Sequence, residues 1–527
     1  MKEKIIVAGA GHGGIVAAYY LAKEGYDVTV YEMGSEGKLG HDQGDSIHLD
    51  GFEKSGIPIP KEWYVKRTPI AFCVPGTDLE PLVQADSSDA YNIEIDRNAL
   101  YEHLIAPAVE AGVKFVYDCE VIAPIVLASR VVGIRTSLGD FYGGLVIDAC
   151  GLYSPLRDQL PDSFGIQKGL GRYDVLSAYR AYYNKVEGEE DPALRYQVSL
   201  IPGELCGLSW LVTNEDSVDI LIGAFDGISQ EAIDKRLEIY RSENPHLGTK
   251  LLRGGKVIDI PVRNPLSLLV ADGYAAIGDS AYMTVPVKGS GIGYSMRAGK
   301  MLADCVINDK DGLLNRETLW QYQVAFHKEI GTQAAILSIA KNAFPMLTVD
   351  VIDYAFREKV LSSEDMELFG NEQGLMKMLV SLKISELTGK AKKVVSNLEI
   401  RHLLAVIAKN VTKYLTIDRR FPEKYDSEAI AKWTESYDNF FESIKFDPVA
   451  EAIERQIREE KAEKKRAEKE AKEEKAEKKR AEKEEKAEKK KTEKMKKKAE
   501  KAEKAVEKNS DSQADSTPEE EGSEETV

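Results

Sequence analysis

The first thirty-two residues contain the pattern that most restricts the fold of this chain. An apolar run at residues 5–8 leads into a glycine turn with the spacing G-x-G-x-x-G, formed by Gly9, Gly11 and Gly14. A helical pattern follows, and a second apolar run then ends at Glu32. This order predicts a strand, a tight turn, a helix and a second strand, which together make the start of a Rossmann-type domain.

Each part of this pattern has a physical role in binding a dinucleotide. Gly9 permits the turn, Gly11 lets the backbone approach a pyrophosphate, and Gly14 lets the helix pack closely on the strand. The helix N-terminus presents N–H groups and a partial positive charge to the phosphates. Glu32 stands where a carboxylate accepts hydrogen bonds from a ribose. We therefore predict a dinucleotide site, although the motif alone does not separate FAD from NAD.

Composition excludes several other classes of protein. A chain of 527 residues with 43% hydrophobic residues can form more than one domain, and the net charge of −17 argues against general nucleic-acid binding. The five cysteines are scattered without a C-x-x-C motif, so we predict reduced thiols and no metal site. No apolar stretch approaches the roughly 20 residues of a membrane span. We expect a cytoplasmic protein, and composition leaves peripheral contact with the inner face of the membrane open.

Three further elements favour FAD over NAD. Asp279 follows a glycine at a strand end, where its carboxylate can bind the ribityl hydroxyls. The helix opened by Gly289-Ser290-Gly291 can turn its N-terminus towards the flavin ring. The third element is a strand end at residues 148–151, with a serine and an arginine shortly after it. Each element alone has a purely structural explanation, but their order around one fingerprint indicates an FAD site.

The order of helical and strand patterns along the chain predicts an α/β fold (α+β overall). A Rossmann-type FAD-binding domain carries an inserted antiparallel β-sheet substrate domain, followed by a helical C-terminal region and a long charged helical tail. The predicted boundaries are 1–160 and 256–330 for the FAD-binding domain, 161–255 for the inserted sheet, 331–448 for the helical region, 449–508 for a charged single helix and 509–527 for a disordered acidic tail.

The tail is a repeat of charged residues with almost no apolar face. The twelve letters EEKAEKKRAEKE at residues 459–470 recur at residues 473–484. From Glu451 onward there are 24 Lys and Arg against 25 Asp and Glu, so the tail is nearly neutral. Opposite charges three and four residues apart support a solvated single helix, whereas a coiled coil lacks its apolar seam here.

Residues 1–310 resemble the geranylgeranyl reductase family of flavoproteins, within the superfamily that also holds the aromatic-ring hydroxylases. The motifs that carry the resemblance are GGKVIDIP at residues 254–261, GDSA at residues 278–281, and P-x-x-G-x-G-I-G beginning at Pro286. The resemblance implies FAD as cofactor. It also implies saturation of isoprenoid double bonds in lipid or pigment precursors.

Together with the fingerprint, the resemblance implies a set of cofactor-binding residues. They are Gly9, Gly11, Gly13, Gly14, Glu32, Gly44, Arg97, Val121, Asp279, Gly291 and Ile292. By the resemblance, Glu32 binds the adenosine ribose and Arg97 lies near the FAD phosphate or ribose. The backbone of Val121 contacts the adenine, and the last three residues hold the ribityl–flavin end.

The chain departs from the family at three places. His41-Asp42-Gln43-Gly44 replaces a C-x-x-G segment, so the cysteine is missing. Of the substrate-domain motif Y-x-W-x-F-P only Trp210 remains, and His12 replaces a common proline in the glycine turn. Cofactor binding is therefore better supported than the lipid substrate.

Three functions stay open from the sequence. The first is reduction of double bonds in an isoprenoid or lipid-like substrate, with NAD(P)H or a redox protein as electron donor. The second is an FAD-dependent NAD(P)H monooxygenase of an aromatic or apolar substrate, and the third is a non-catalytic flavin-fold scaffold. No second Rossmann fingerprint for a nicotinamide is visible.

The catalytic residues are not determined by the sequence. Tyr179, Tyr182 and His41 are candidate proton donors. The alternating aromatic residues of the inserted sheet can line an apolar pocket or form an ordinary core; they are Tyr179, Tyr182, Tyr183, Tyr196 and Trp210.

Overall fold

The computed structural model describes residues 3–74, 77–84, 91–201, 206–287, 289–370 and 391–510. The chain divides into two compact units, Met1–Phe446 and Asp447–Val527. Strands are numbered β1 to β19 and helices α1 to α14 along the described residues.

A six-stranded sheet forms the centre of the first unit. Its strands are β1 (Lys4–Ala8), β2 (Asp27–Tyr31), β8 (Lys114–Val116), β12 (Leu145–Asp148), β18 (Val270–Ala271) and β19 (Tyr274–Ala276). They lie in the order β18-β19-β12-β1-β2-β8, and only the β18–β19 pair is antiparallel. The apolar runs of β1 and β12 are buried because helices cover the sheet. The predicted Rossmann-type fold is confirmed.

Two helices cross against this sheet at glycine residues. They are α1 (His12–Lys23) and α6 (Ile292–Asn308). A Cβ atom on Gly299 would overlap the carbonyl oxygen of Gly13, and one on Gly13 would overlap the carbonyl oxygen of Ser295. The backbone N–H of Gly13 donates to Ser295 Oγ at 3.0 Å. The absence of side chains thus lets the N-terminal halves of both helices touch through their backbones.

A second, seven-stranded sheet packs against the first domain. Its strands are β5 (Ile70–Cys73), β6 (Leu82–Gln84), β13 (Val175–Lys185), β14 (Tyr196–Ile201), β15 (Gly207–Thr213), β16 (Ser217–Phe225) and β17 (Leu247–Pro261). They lie in the order β17-β13-β16-β15-β14-β5-β6, with only β14–β5 parallel. The segment predicted as the inserted sheet supplies β13 to β16 and most of β17, while β5 and β6 come from earlier in the chain.

The two faces of the second sheet have different surroundings. The back face packs on helix α5 (Gln230–Glu243) through Tyr179, Ala181, Tyr183, Leu211, Val218, Ile220 and Ile222. The strand register places the following residues on the opposite front face: Arg180, Tyr182, Tyr196, Val198, Leu208, Trp210, Val212, Asp219 and Leu221. The front face meets the loop at residues 42–45, because Tyr182 and Arg180 contact Gly44 and Asp45 there.

Two smaller sheets complete the strand structure. They consist of β3 (Gly44–Ile47), β4 (Tyr64–Lys66) and β7 (Tyr91–Asp96), and of β9 (Val121–Leu127), β10 (Arg130–Thr136) and β11 (Gly139–Tyr142). Helices α2 (Leu49–Ser55), α3 (Arg97–Glu110) and α4 (Pro155–Gln159) lie between them. We expected residues 33–91 to be loop-rich, yet they contain β3 to β6 and α2. These elements are too short for apolar periodicity to reveal them.

The remainder of the first unit is helical. Its helices are α7 (Arg316–Phe326), α8 (Thr332–Asn342), α9 (Val349–Arg357), α10 (Ser363–Gly370), α11 (Ala391–Ser396), α12 (Leu398–Asp418) and α13 (Ser427–Ser443). Among the described residues, no single helix has the length and apolar composition to cross a membrane. The segments Arg316–Met346 and Val349–Arg357 meet that test only together, with a bend of 106° between them.

The second unit contains one long helix, α14 (Pro448–Ser510). Every side chain from residue 463 to residue 506 is exposed, as expected where opposite charges repeat without an apolar stripe. The predicted disordered tail begins at residue 509. Its first two residues end this helix, and the rest lies outside the described residues.

The glycine crossing gives a stability prediction. We expect Gly299→Ala to lower the free energy of unfolding by about 1–3 kcal/mol, because the new methyl group meets backbone rather than a movable side chain. The matched control is Gly331→Ala, where an added Cβ atom makes no contact shorter than 3.4 Å. Urea unfolding of both variants measures the difference. Equal stability of the two variants would contradict the close backbone contact between α1 and α6.

Candidate functional site

The glycine turn between β1 and α1 is shaped by the loop that follows β12. Gly9 has a φ of +84°. A Cβ atom on Gly9 or Gly11 would lie 2.5 or 2.9 Å from the carbonyl oxygen of Ala149, and one on Gly14 would lie 2.7 Å from Ala149 Cβ. The protein's own packing therefore requires glycine at all three positions. The fit of a dinucleotide must be judged from the side chains around the turn.

Glu32 follows β2 and holds its carboxylate over the glycine turn. Its Oε2 accepts a hydrogen bond from the N–H of Ala10 at 2.7 Å, and its Oε1 accepts from the N–H of Gly34 at 2.7 Å. The carbonyl oxygen of Glu32 accepts from the N–H of Cys119 at 2.9 Å, which brings the start of β9 and its first residue, Val121, to the same end of the sheet. Glu32 and Val121, which are both predicted to bind the adenosine half of FAD, therefore lie at the same end of the six-stranded sheet.

Arg97 begins helix α3, and Tyr101 lies one turn further on the same face. The Nε atom of Arg97 pairs with the carboxylate of Asp45, and its side chain is 20% exposed. The Tyr101 ring packs against the His12 ring at 4.5 Å between centroids. The start of α3 therefore faces the glycine turn and presents a fixed guanidinium group beside it.

His12 provides the test of whether a polar ligand fits here. Its Nε2 atom is buried and has no hydrogen-bond partner within the described part of the chain. Burial, followed by the positive charge of Arg97, lowers the pKa of His12 to about 3, so the imidazole is neutral at pH 7. A buried polar atom without a partner costs free energy. The phosphate-bearing part of a dinucleotide would satisfy this atom at the first residue of α1, so the residues present fit the group.

The predicted flavin end lies beside the start of α6. Asp279 sits in a 3-10 turn, Gly278–Ala281, and its Oδ1 accepts from Thr284 Oγ1 at 2.8 Å. A Cβ atom on Gly291 would lie 3.4 Å from the same carboxylate oxygen, and Ile292 is the first residue of α6. Burial raises the pKa of Asp279, while Thr284 and Arg97 oppose that shift. The structure therefore brings Asp279, Gly291 and Ile292 together and places them near Arg97.

Gly13 and Gly44 contribute in a different way. The N–H of Gly13 is already donated to Ser295, and the N–H of Gly44 donates to the hydroxyl of Tyr182 at 2.9 Å. Both amides hold protein elements together around the site. The contacts of all the predicted residues with the cofactor stay predictions.

The strand end at residues 148–151, which was the third sequence element that favoured FAD, has a structural role. The buried Asp148 carboxylate accepts hydrogen bonds from Ser154 Oγ at 2.5 Å and from the Tyr274 hydroxyl at 2.7 Å. Arg157 Nη1 donates to the carbonyl oxygen of Ser280 at 3.0 Å. This cluster anchors the turn that carries Asp279.

Tyr101 and Asp45 belong to the site but were not among the residues predicted from the sequence. Tyr101 stands four residues after Arg97, and that helical spacing was the available signal. Asp45 is the acid directly after Gly44, but only the fold shows that Arg97 and Arg180 converge on it, the latter at 3.6 Å. Arg180 also forms a two-pronged pair with Asp219, at 2.7 and 3.1 Å. A chain of ion pairs, buried at Arg180 and Asp219 and partly exposed at Arg97 and Asp45, therefore links the FAD-binding domain to the front face.

The three candidate proton donors occupy different environments. The Tyr179 hydroxyl bonds to Tyr183 at 2.8 Å on the back face beneath α5, away from the glycine turn. Tyr182 lies on the front face, and burial raises its pKa to about 12. His41 stands near Arg97 and Lys256; desolvation and then the charge of Arg97 lower its pKa. Only Tyr182 and His41 therefore adjoin the candidate site.

Comparison with known proteins agrees with this geometry. Residues 7–40 match the family model described as an NAD(P)-binding Rossmann-like domain. The digeranylgeranylglycerophospholipid reductase of Sulfolobus acidocaldarius is 23% identical over 460 residues, which cover 83% of this chain and 97% of the relative. A probable electron transfer flavoprotein-quinone oxidoreductase of Escherichia coli is 27% identical over 303 residues, covering 53% and 70%.

A solved structure shares the fold. The geranylgeranyl bacteriochlorophyll reductase-like protein of Thermoplasma acidophilum is 18% identical, covers 79% of this chain and 99% of its own, and has a TM-score of 0.58. The protein is thus an FAD-dependent oxidoreductase. Within that class the chain is similar over most of its length to proteins named as geranylgeranyl reductases, so the predicted resemblance and cofactor are confirmed.

The position of Arg97 gives a prediction for cofactor affinity. We expect Arg97→Met to raise the Kd for FAD by about 10- to 100-fold, because a charge-assisted hydrogen bond near the phosphates is lost. Asp45 keeps Arg180 as a partner, and its side chain is 17% exposed, so water can solvate the charge that Arg97 leaves and the fold should persist. Fluorescence titration of the apoprotein measures the Kd. Arg135→Met, at an arginine whose side chain is 61% exposed, is the control, and an equal Kd for both variants would contradict the assignment.

Proposed function

We propose that this flavoprotein reduces carbon–carbon double bonds in a polyprenyl lipid. The observation that carries the proposal is the alignment with a digeranylgeranylglycerophospholipid reductase over 97% of that relative's length. Two further relatives with the same name, from Methanothrix thermoacetophila and Methanopyrus kandleri, cover 72% and 75% of this chain.

The front face of the second sheet supports an apolar substrate. On β14 and β15 the front-face residues are partly exposed, whereas Ser199, Ser209 and Leu211 of the back face are buried. The partly exposed side chains are aromatic and aliphatic; they are Tyr196, Val198, Leu200, Leu208, Trp210 and Val212. Apolar surface that remains open on a folded sheet marks a binding surface. It lies on the side of the sheet that meets Gly44 and Asp45.

The reaction needs a hydride and a proton for each double bond. Reduced FAD, when bound, supplies the hydride equivalent. We assign Tyr182 as the proton donor. Its oxygen accepts the N–H of Gly44, so its own O–H hydrogen is not used in that bond, and a pKa of about 12 keeps it protonated.

The role of Tyr182 is testable against its neighbour in the strand. We expect Tyr182→Phe to slow substrate reduction by about 100-fold, since a positioned acid typically contributes at least that much. Tyr183→Phe removes the next hydroxyl along β13, on the back face, and should leave the rate nearly unchanged. Anaerobic single-turnover oxidation of the flavin measures both rates. Equal rates in the two variants would remove Tyr182 from the mechanism, and FAD titration checks that both variants still load.

The function itself is tested with the FAD-loaded full chain. The flavin is reduced with dithionite without oxygen, and digeranylgeranylglycerophospholipid is added in detergent. Mass spectrometry should show a gain of two hydrogens per double bond. Substrate-stimulated oxygen consumption with NADPH, and a product with one added oxygen, would instead identify a monooxygenase. Failure to bind any flavin would identify a scaffold.

The electron donor is a separate part of the proposal. The similarity to a protein named as an electron transfer flavoprotein-quinone oxidoreductase supports a redox protein as donor. Stopped-flow absorbance compares flavin reduction by NADH, by NADPH and by a reduced electron transfer flavoprotein. Faster reduction by either nicotinamide would overturn this choice and leave the reductase assignment in place.

A further inference from the structure

The outer strand of the second sheet carries an apolar and basic surface that the site does not use. Leu251, Leu252 and Val257 are 48%, 47% and 47% exposed. Lys250 precedes Leu251 and Lys256 precedes Val257 on the same strand, and both lysines are also exposed. These five residues of β17 are called the edge patch. The register with β13 places Leu251 and Val257 on the back-face side of the sheet edge and Lys256 on the front-face side, so the patch is presented edge-on. Exposed aliphatic side chains cost free energy in water and mark a contact surface.

The strand is poorly suited to pairing with a second copy of the chain. In the described part of the protein β17 pairs only with β13. Gly254 and Gly255 both have positive φ angles, +75° and +76°, and the ladder with β13 shifts register there. Bulges and lysines on an edge strand discourage further strand addition. They do not account for the exposed aliphatic residues.

The charge of the edge patch is opposite to that of the whole chain. The protein carries a net charge of −17, whereas the edge patch holds Lys250 and Lys256. Of the acids beside the patch, Asp259 accepts hydrogen bonds from Tyr153 and Ser177, each at 2.6 Å, and Asp42 and Asp96 both pair with Arg253 of the same strand. Tyr153 is itself 61% exposed, and tyrosine favours the boundary between apolar and aqueous phases. Exposed aliphatic side chains flanked by lysines complement an anionic lipid surface.

We propose that the edge patch seats this protein on the surface of an anionic bilayer. The aliphatic side chains enter the interfacial region, and the two lysines contact lipid phosphates. A local basic surface on an acidic protein also orients the molecule, because the rest of its charge is repelled by the same membrane.

The edge patch adjoins the candidate site. Arg253, within the same stretch of β17, pairs with Asp42 at 2.9 Å and with Asp96 at 2.7 Å. The charge of Lys256 contributes to the lowered pKa of His41. The seated strand would therefore hold residues 41–45 beside the membrane. From this position a lipid could pass from the membrane to the front face. This role in lipid entry rests on the proposed function, whereas the membrane contact does not.

The test is binding of the full-length protein to vesicles, without turnover. Wild-type protein should co-sediment with vesicles of phosphatidylglycerol and phosphatidylcholine more strongly than with phosphatidylcholine alone. The double variant Leu251→Glu/Leu252→Glu should lower the partition coefficient by about tenfold or more, because two apolar side chains no longer enter the interface. Lys250→Glu/Lys256→Glu should abolish the preference for phosphatidylglycerol.

The matched control places the same two charges on exposed leucines outside the edge patch. Leu127, at the end of β9, and Leu138, in the turn between β10 and β11, are 61% and 59% exposed, and Leu127→Glu/Leu138→Glu should bind like the wild type. Equal loss in both double variants, or no loss in either, would overturn the proposal. So would a dimer, detected by analytical ultracentrifugation, that only the Leu251→Glu/Leu252→Glu variant loses.

The outcome is separable from that of the proposed function. Reduction of detergent-dispersed lipid should be equal in the wild type and the Leu251→Glu/Leu252→Glu variant, since neither residue lies in the site. Vesicle binding that depends on the edge patch, without any lipid reduction, would sink only the proposed function. Lipid reduction in detergent, with vesicle binding unchanged by the variants, would overturn only the proposal that the edge patch contacts the membrane.

Discussion

The candidate site depends on the backbone contact between α1 and α6. The predicted dinucleotide and flavin halves are more than 240 residues apart in sequence, and the hydrogen bond from Gly13 to Ser295 joins residues 282 positions apart. Glycine at positions 13 and 299 removes the side chains that would separate the two helices. Because both helices also begin near this crossing, one contact sets the distance between the glycine turn and Asp279. A side chain at either glycine would change the length available to the cofactor.

The ion pairs around Asp45 connect the FAD-binding domain to the second sheet. Asp45 is shared by Arg97 and Arg180, and Arg180 is also held by Asp219. Two cations and two carboxylates balance, so the cluster can be buried without net charge. Buried pairs of this kind add little net stability, because desolvation offsets their attraction, but removing one member leaves a buried charge unpaired. The cluster is therefore best understood as fixing the position of the front face relative to Arg97.

The sequence predicted those parts of the site that rest on local spacing. The β1–turn–α1 unit, Glu32 and the start of α6 were accessible because each follows a short pattern of fixed length. Tyr101 and Asp45 were not, since their partners come from other elements. In the structure, alternation along β13 places Tyr179 and Tyr182 on opposite faces of the sheet. Which side faces the cofactor was decided only by the packing of α5.

The strands between residues 33 and 91 show a different limit. They are short, and β3, β4 and β5 pair with strands that come later in the chain, so no periodic signal of their own identified them. Tertiary contacts make strands of such segments, and these contacts include the loop at residues 42–45 that meets the front face. The least predictable part of the fold is thus the part that joins the two domains.

The front face reverses the usual distribution of polarity on a protein surface. Its charged residues, Arg180 and Asp219, are 8% and 6% exposed, while its aromatic and aliphatic residues on β14 and β15 remain partly open. Water favours the opposite arrangement, because charges are solvated and apolar groups are not. A sheet can keep this reversed pattern only where the buried charges are paired and the apolar groups meet another apolar body. Asp45 provides the first condition by closing the ion-pair chain. Helix α9 provides the second condition for Leu200 through Ile352 and Phe356, and the proposed lipid would provide it for the front-face residues that remain open.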